Sequence, residues 1–419
     1  MSTSEIGRGL NHSGLIVVLA ALTMIGALGV DLYLPSFGAI EAAFGTTPVV
    51  VQQTLSVYMA ANAVAVLFAG TLSDSIGRRR LVLAALLLFA AASVIAVLAP
   101  NVGTLIFARV LQGLAGGVAT VLARAIVQDR FDGAEATRAM ALVMLVFGVG
   151  PAIAPILGGW VQAALGWQAN FVLLAVYAAV LWAVCQWGLR ESLATDRRAP
   201  LSLRPIVAGY LRALRNRPFM LRAGGLGLAF IGLSLHISSA SAYVVGILGL
   251  DETSFGWLFI PMVGGTMIGS LIAERLARRV ANTRIVAWGF ACMLLGALAG
   301  VMYTSVFEPR IPYAIIPLAV YALGLGVASP AMTVQTLDLL PGTQGLASSL
   351  MSFVQMLVFA SMAGLVAPLV FHSAQALTLT HFIGVAIGGV LWLLSGGSTS
   401  ARRSGPKERR VGLTAADPL

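Results

Sequence analysis

The sequence Gly70-Thr-Leu-Ser-Asp-Ser-Ile-Gly-Arg-Arg-Arg80 separates two long apolar runs, residues 48–72 and 81–99. Neither run contains a charged residue, and each is long enough to cross the hydrocarbon core of a bilayer as a helix. The charges are confined to the short stretch between them. This pattern predicts two membrane-spanning helices joined by a tight basic loop.

The same alternation extends over the whole chain. Of its 419 residues 58% are hydrophobic and 10% are charged, against about a quarter charged in soluble domains. The mean hydropathy is +0.92, which excludes a soluble enzyme. At about 20 residues per span, the sequence predicts an all-α polytopic membrane protein with twelve spans. They are 15–37, 48–72, 81–99, 101–126, 139–165, 168–189, 221–247, 255–273, 284–304, 311–336, 345–371 and 374–396.

Basic residues indicate how these spans are oriented. All of the 26 basic residues except Arg109, Arg124 and Arg310 fall on one side of the predicted spans. Because loops rich in Lys and Arg stay in the cytoplasm, both termini are predicted to be cytoplasmic. The net charge of +10 would also suit nucleic acid. Its clustering between apolar runs favours topology instead, and no nucleic-acid partner is expected.

The two halves of the chain resemble each other. A second sequence, Gly269-Ser-Leu-Ile-Ala-Glu-Arg-Leu-Ala-Arg-Arg279, follows the eighth span as the first follows the second. Two six-helix pseudo-repeats around a basic connector are typical of a rocking transporter. The predicted organisation is a cytoplasmic start (1–14), a six-helix bundle (15–189), a basic linker (190–220), a second bundle (221–396) and a disordered cytoplasmic tail (397–419).

The loop 70–80 resembles the signature loop of the major facilitator superfamily, which implies the major facilitator fold. The resemblance implies a cytoplasmic gate at Gly70, Asp74, Gly77, Arg78 and Asp129. Gly70 allows helices to approach closely and Gly77 permits a tight turn. Asp74 is expected to pair with an arginine and to receive the positive end of a neighbouring helix dipole, so that the loop latches the two halves on the cytoplasmic side in the outward-open state. A topogenic loop with incidental acids is the alternative.

The fourth span contains Arg109-Val-Leu-Gln112-Gly-Leu-Ala-Gly-Gly117, which resembles the arginine motif of superfamily antiporters. An arginine within a span costs about 2.5–3.5 kcal/mol on insertion, so Arg109 should face a cavity or a partner. Gln112 lies one turn further along on the same face. The alternative is an arginine that extends to the membrane interface.

The fifth span contains Gly148-Val-Gly150-Pro151-Ala-Ile-Ala-Pro155-Ile-Leu-Gly158-Gly159. Such a segment is tolerated where neighbouring helices satisfy the freed backbone groups. It is similar to the antiporter motif of proton-coupled exporters, and this similarity implies export. An ordinary packing seam of small residues is the alternative.

The first span ends in Gly29-Val-Asp31-Leu-Tyr33-Leu-Pro35. This resembles the Asp-x-Tyr-Leu-Pro signature of the bicyclomycin- and chloramphenicol-resistance branch (Bcr/CflA) of the superfamily. Gln128 and Gln168 depart from the branch pattern, which has arginine at both places. A buried carboxyl is costly when ionised, so Asp31 is the predicted site of proton or substrate coupling. Arg109 is expected to hold it ionised and to couple it to the substrate. An acid at the end of a helix is the alternative for Asp31.

Further polar residues are candidates for a substrate cavity. They are Tyr33, Tyr58, Asn62, Gln112, His236, Tyr243, Gln335 and Gln355. His236 is either a second proton site or a hydrogen-bonded histidine within the bundle.

Together with the resemblance to the Bcr/CflA branch, these observations predict a proton-coupled efflux antiporter in the inner membrane of a bacterium. It would export small amphipathic drugs of the chloramphenicol or bicyclomycin kind, driven by the proton gradient without a cofactor or metal. The resemblance implies a monomer. An exporter of a metabolite such as a nucleoside, sugar or amino acid is the main alternative. A membrane enzyme or scaffold would need interfacial clusters of catalytic residues, and the sequence shows none.

Overall fold

The computed structural model describes residues 10–194, 198 and 203–396. Its first half consists of long helices joined by short turns. They are α1 (His12–Asp31), α2 (Phe37–Phe44), α3 (Pro48–Ile76), α4 (Arg78–Val97), α5 (Val102–Arg130), α6 (Gly133–Leu165) and α7 (Trp167–Gly188), with a short 3₁₀ turn at Leu34–Ser36. The predicted tail, the first nine residues and part of the predicted linker lie outside the described residues.

The second half repeats this plan after a linker helix, α8 (Leu203–Arg215). It consists of α9 (Arg217–Ala229), α10 (Ile231–Ser238), α11 (Gly256–Ala277), α12 (Asn282–Val306), α13 (Ile316–Leu337), α14 (Gln344–Ser361), α15 (Ala367–Val370) and α16 (Ala374–Leu394). Two π-helical turns, Ala242–Ile247 and Met362–Val366, interrupt it. The described part of the chain contains no β-strand.

Eleven of the described helical segments are long and apolar enough to cross a membrane, and α9 with α10 forms a twelfth that is bent by 44°. The all-α, twelve-span fold predicted from the sequence is therefore confirmed. Three predicted spans are less regular than expected. The first stops at Asp31 and resumes as α2 beyond Pro35, the seventh bends at Phe230, and the eleventh contains a π-helical turn.

The helices of each half pack together through small residues. In the first half α3 lies against α5 and α1 against α6, and in the second half α13 lies against both α11 and α12. A Cβ atom at Gly113 of α5 would overlap the Tyr58 carbonyl of α3, and one at Gly269 of α11 would overlap the Leu323 carbonyl of α13. Such close backbone approach is how small residues stabilise helix pairs in membranes.

The two halves meet along α3 with α14 and along α6 with α11. Near the start of α3, Gln53 Nε2 donates to the Gly364 carbonyl at 2.9 Å, and Ser56 Oγ donates to the Ala360 carbonyl at 3.0 Å. This end of the bundle, the arginine-poor end, lies opposite to the loop Arg78–Arg80. The loop itself marks the arginine-rich end.

At the arginine-rich end, α8 contacts both halves. Tyr210 Oη donates to the Leu67 carbonyl of α3 at 2.7 Å, and Leu346 of α14 packs against Gly209. Burial raises the pKa of Tyr210, so its hydroxyl remains a donor at neutral pH. The sequence predicts a basic connector here, but a helix that joins the two halves was not anticipated.

Candidate functional site

Arg109 lies at the centre of the first half and is fully buried. Its guanidinium donates to the Gly29 carbonyl at 2.6 Å, to Gln112 Oε1 at 2.7 Å and to the Thr54 carbonyl at 3.3 Å. These partners come from α1, α5 and α3. Arg109 is thus a core residue that ties three helices together, and it does not extend to the membrane interface.

Two tyrosine rings enclose the Arg109 guanidinium. Its central carbon lies 4.2 Å from the ring centre of Tyr33 and 4.2 Å from that of Tyr58, within the range of a favourable cation–π contact. Gln112 continues the network by donating to Ser93 Oγ of α4 at 2.7 Å. The structure therefore brings Arg109, Gln112, Tyr33 and Tyr58 together, but as a packed cluster and not as the walls of a cavity.

Asp31 is the last residue of α1 and is 2% exposed. Its Oδ1 atom is buried without a hydrogen-bond partner, and the carboxyl makes no ion pair with another described residue. An ionised carboxylate in such surroundings lacks every interaction that normally compensates for the loss of water. The arrangement therefore fits a protonated carboxyl.

The predicted pairing between Arg109 and Asp31 is wrong for this structure. Arg109 binds the carbonyl of Gly29, and Gly29 faces the Tyr58 hydroxyl of α3. A residue two positions further along a helix lies about 200° around its axis. Asp31 therefore leaves α1 on another side, and the two charges share a bundle without touching.

The fifth-span segment of α6 packs against the break that follows Asp31. A Cβ atom at Gly158 would overlap the Leu32 carbonyl, and one at Gly159 would overlap the Glu252 carbonyl of the second half. Pro151 and Pro155 lie within the continuous helix α6. Gly150 packs against Ala27 of α1, whereas Gly148 faces open space. One helix thus contacts both the Asp31 region and the other half of the molecule.

Polar side chains hold this break in place. Ser36 Oγ donates to Gln162 Oε1 of α6 at 2.8 Å, and Asn170 of α7 donates to Ser36 Oγ at 2.9 Å. Asn170 also donates to the Gly158 carbonyl at 3.2 Å. Sequence reasoning missed all three residues, because single polar residues in different spans give no sign that they meet.

The loop at the arginine-rich end is built around Arg78. Its guanidinium pairs with Asp74 at 2.7 Å and with Asp129 at 3.0 Å, and it also contacts Ser73. Gly77 joins α3 to α4 with φ +105°, a conformation that favours glycine. The structure thus places the predicted residues Asp74, Gly77, Arg78 and Asp129 in one cluster.

The Asp74–Arg78–Asp129 cluster lies within the first half, and no ion pair between described residues joins helices α1–α7 to helices α9–α16. The latch expected for the outward-open state is not formed in this conformation and stays a prediction. The expectation for Gly70 is wrong, because a Cβ atom at Gly70 would meet nothing within 4 Å. Its carbonyl instead accepts hydrogen bonds from Ser73 and Arg78.

Glu191, and not Asp74, accepts hydrogen bonds from the backbone N–H groups at the N-terminus of α4. Glu191 Oε1 accepts from the backbone N–H groups of Arg78 at 2.9 Å and of Arg79 at 3.5 Å. A carboxylate at this position is stabilised by the positive end of the helix dipole. Glu191 follows α7 and is distant in sequence, so only its position in an acid-poor chain could have drawn attention to it.

The predicted cavity residues do not surround one cavity. A cavity of about 320 Å³ does lie between the halves at the arginine-poor end, but none of the eight predicted residues lines it. Its wall includes Phe37, Glu41, Gln52 and Ser238. Tyr33, Tyr58 and Gln112 do not line this cavity because they are fully enclosed within the first half.

The remaining candidates lie at separate places. Asn62 packs beside Gly116 and Gly117, and Gln355 packs beside Gly227. The Gln335 carbonyl accepts from Arg222 at 2.6 Å, while the side-chain nitrogen of Gln335 has no partner. These three residues are helix contacts in this structure.

His236 is buried within the second half and faces another histidine. Its Nδ1 atom lies 2.8 Å from the Gly232 carbonyl, and its ring centre lies 5.4 Å from that of His381 and 5.8 Å from that of Tyr243. His381 was not singled out from the sequence. No group of three or more metal-binding side chains occurs among the described residues.

Comparison with known proteins decides the family. The model of the Major Facilitator Superfamily matches residues 19–364. The chain belongs to this superfamily. Two solved structures share its fold. They are a bacterial homolog of the human lysosomal transporter Spinster (15% identity, TM-score 0.71, covering 92% of this chain and 96% of that one) and the human organic anion transporter MFSD10 (18% identity, TM-score 0.65, covering 92% and 100%).

Curated relatives cover most of the chain as well. The bicyclomycin resistance protein homolog of Haemophilus influenzae is 28% identical over 375 residues, covering 87% of this chain and 92% of that protein. The multidrug transporter MdfA of Shigella boydii is 29% identical over 336 residues, covering 79% and 81%. These names agree with the branch that the Asp31-x-Tyr33-Leu-Pro35 sequence predicts, and the superfamily transporters matched here are not enzymes.

Proposed function

We propose that this major facilitator protein exports small amphipathic molecules across the bacterial inner membrane in exchange for protons. Chloramphenicol- or bicyclomycin-like drugs are the proposed substrate class. The names of the curated relatives support drug export, and the arginine clusters support a cytoplasmic location of the arginine-rich end. We also propose that the two halves are the rigid units of transport and that the protein acts as a monomer.

The observation that carries this proposal is the buried, unpartnered carboxyl of Asp31. Insertion of a charged residue at the centre of a span costs about 2.5–3.5 kcal/mol. Asp31 therefore binds a proton in the conformation described here and releases it in a conformation that admits water. A carboxyl that alternates in this way moves one proton per cycle.

Arg109 supplies a fixed positive charge in the same bundle. Its hydrogen bonds run to two backbone carbonyls and one amide, so no acid neutralises it within the described residues. We propose that Arg109 couples Asp31 to the substrate through the packed cluster between them, in place of the direct pairing expected from the sequence.

The link from Asp31 to the rest of the molecule runs through α6. Gly158 touches the backbone immediately after Asp31, and Gly159 touches the second half. A change in backbone geometry at residues 31–33 therefore shifts the contact between the halves. Because few side-chain hydrogen bonds join the halves near Gln53 and Ser56, a small bias can open this end, as alternating access requires.

We propose that the loop 70–80 latches the two halves in the outward-open state and not in the conformation described here. In the present structure, Arg78, Asp74 and Asp129 hold the turn rigid within the first half. We propose that this preformed surface meets the second half only when the arginine-poor end opens.

Accumulation of labelled chloramphenicol in efflux-deficient bacteria tests the proposal. Cells that express the chain should accumulate less drug, and a protonophore should abolish the difference. Unchanged accumulation with protein present in the membrane would contradict amphenicol export. A panel of labelled nucleosides, sugars and amino acids would then distinguish a metabolite exporter from an exporter of another drug class.

A further inference from the structure

The cavity of about 320 Å³ at the arginine-poor end is separate from the Asp31 region. The first half contributes Phe37, Glu41 and Gln52 to its wall, and the second half contributes Ser238, Phe371 and His372. Neither Asp31 nor Arg109 lines it. Its volume is at the lower end of the range for small-molecule sites, about 300–1,000 Å³.

Glu41 gives this cavity a negative charge. Its carboxylate lines the wall and makes no hydrogen bond or ion pair with another described residue. Among the described residues of the wall, His372 is the one basic side chain.

The rest of the wall suits an aromatic or apolar molecule. Phe37 lines it from the first half and Phe371 from the second. Gln52 Nε2 donates to the Ser238 carbonyl at 2.8 Å, which joins the halves beside the cavity.

We propose that this cavity is an outer binding site for small organic cations, with Glu41 as the counter-charge and Phe37 and Phe371 as aromatic walls. The inference rests on the proposed export function, since an exported molecule would reach this site at the end of its path. It names a substrate class, because an unpaired carboxylate beside aromatic rings favours a cation with an apolar body. Selectivity for charge would then reside in Glu41, apart from the proton site.

Fluorescence titration of the purified full chain with ethidium, an aromatic cation, tests this site. The variants are Glu41→Gln, Glu41→Asp and, as a control, Glu308→Gln. Glu308 is an exposed acid in the loop after α12 and does not line the cavity. One charge about 6 Å away at an effective dielectric constant of about 60 changes affinity about fivefold. The Kd for ethidium should therefore rise about fivefold in Glu41→Gln.

The two other variants should bind ethidium within about twofold of the unchanged chain. The affinity of Glu41→Gln for uncharged chloramphenicol, measured by calorimetry, should not change. Equal ethidium affinity in Glu41→Gln and the unchanged chain would overturn the inference, as would a failure of the unchanged chain to bind ethidium.

Failure of this inference and of the proposed function can be distinguished. The titration needs no proton gradient, so it does not depend on Asp31. Loss of export in Asp31→Asn with an unaltered ethidium Kd in Glu41→Gln would refute the outer site alone. Unaltered export in Asp31→Asn with a raised ethidium Kd in Glu41→Gln would refute proton coupling at Asp31 and leave the outer site standing.

Discussion

The substitution Arg109→Lys tests whether the three-way hydrogen bonding of Arg109 holds the first half together. The guanidinium uses three nitrogens to reach carbonyls of α1 and α3 and the amide of Gln112. A lysine ammonium is a compact point charge and can keep only one of these contacts in the same space. The charge stays the same, so the change isolates geometry.

The magnitude follows from the contacts that are lost. Hydrogen bonds to charged groups contribute about 1.5–3 kcal/mol each, so two lost bonds amount to about 3–6 kcal/mol. Weaker cation–π contacts with the rings of Tyr33 and Tyr58 add to this loss of stability. We therefore expect Arg109→Lys to be one of the more destabilising conservative changes in the chain, since most point mutations cost about 0.5–3 kcal/mol.

Thermal or denaturant-induced unfolding of the purified protein in detergent measures this effect. The control is Arg124→Lys on the same helix, α5. Arg124 lies 5.8 Å from the ring centre of Phe147, and its Nε atom has no hydrogen-bond partner. The control should lose less than about 1 kcal/mol. Equal stability losses in the two variants would refute the reasoning.

Three further substitutions have defined outcomes. Gly158→Ala should lower stability by about 1–3 kcal/mol and impair export, because its Cβ would overlap the Leu32 carbonyl. The control, Gly148→Ala, places its Cβ in open space and should change neither. Equal export rates in the two variants would contradict this prediction. Glu191→Gln should lower stability by about 1 kcal/mol, since a charge at the start of α4 is lost; an unchanged unfolding curve would argue against it. Tyr210→Phe should speed amide hydrogen exchange in α8, because the bond to the Leu67 carbonyl is lost; equal exchange rates would show that this bond does not hold the linker.

Much of the fold could be predicted because hydropathy alone marks a membrane span. Each span needs about 20 apolar residues, and the twelve predicted runs all correspond to described helices. The interruptions were harder to predict. Pro35 indicates that α1 ends early, but it does not show that the chain resumes as a helix, Phe37–Phe44, in the same span.

The site was predictable where contacts are local and unpredictable where they are not. Arg109 with Gln112, and Arg78 with Asp74, lie three and four residues apart on one helix, so their proximity follows from helical geometry. Glu191 reaches Arg78 from 113 positions away, and periodicity carries no information about such contacts. The Asp31–Arg109 pairing was wrong because two charges in one bundle need not share a helix face.

The most direct test of the central claim is substrate transport into proteoliposomes driven by an imposed pH difference, with Asp31→Asn compared to the unchanged chain. One pH unit supplies about 1.4 kcal/mol per proton, enough for a tenfold substrate gradient. The unchanged chain should approach that gradient. Asp31→Asn, which loses no hydrogen bond at Oδ1, should fold normally and equilibrate substrate without concentrating it. Tenfold accumulation by the Asp31→Asn protein would contradict the assignment of Asp31 as the proton site.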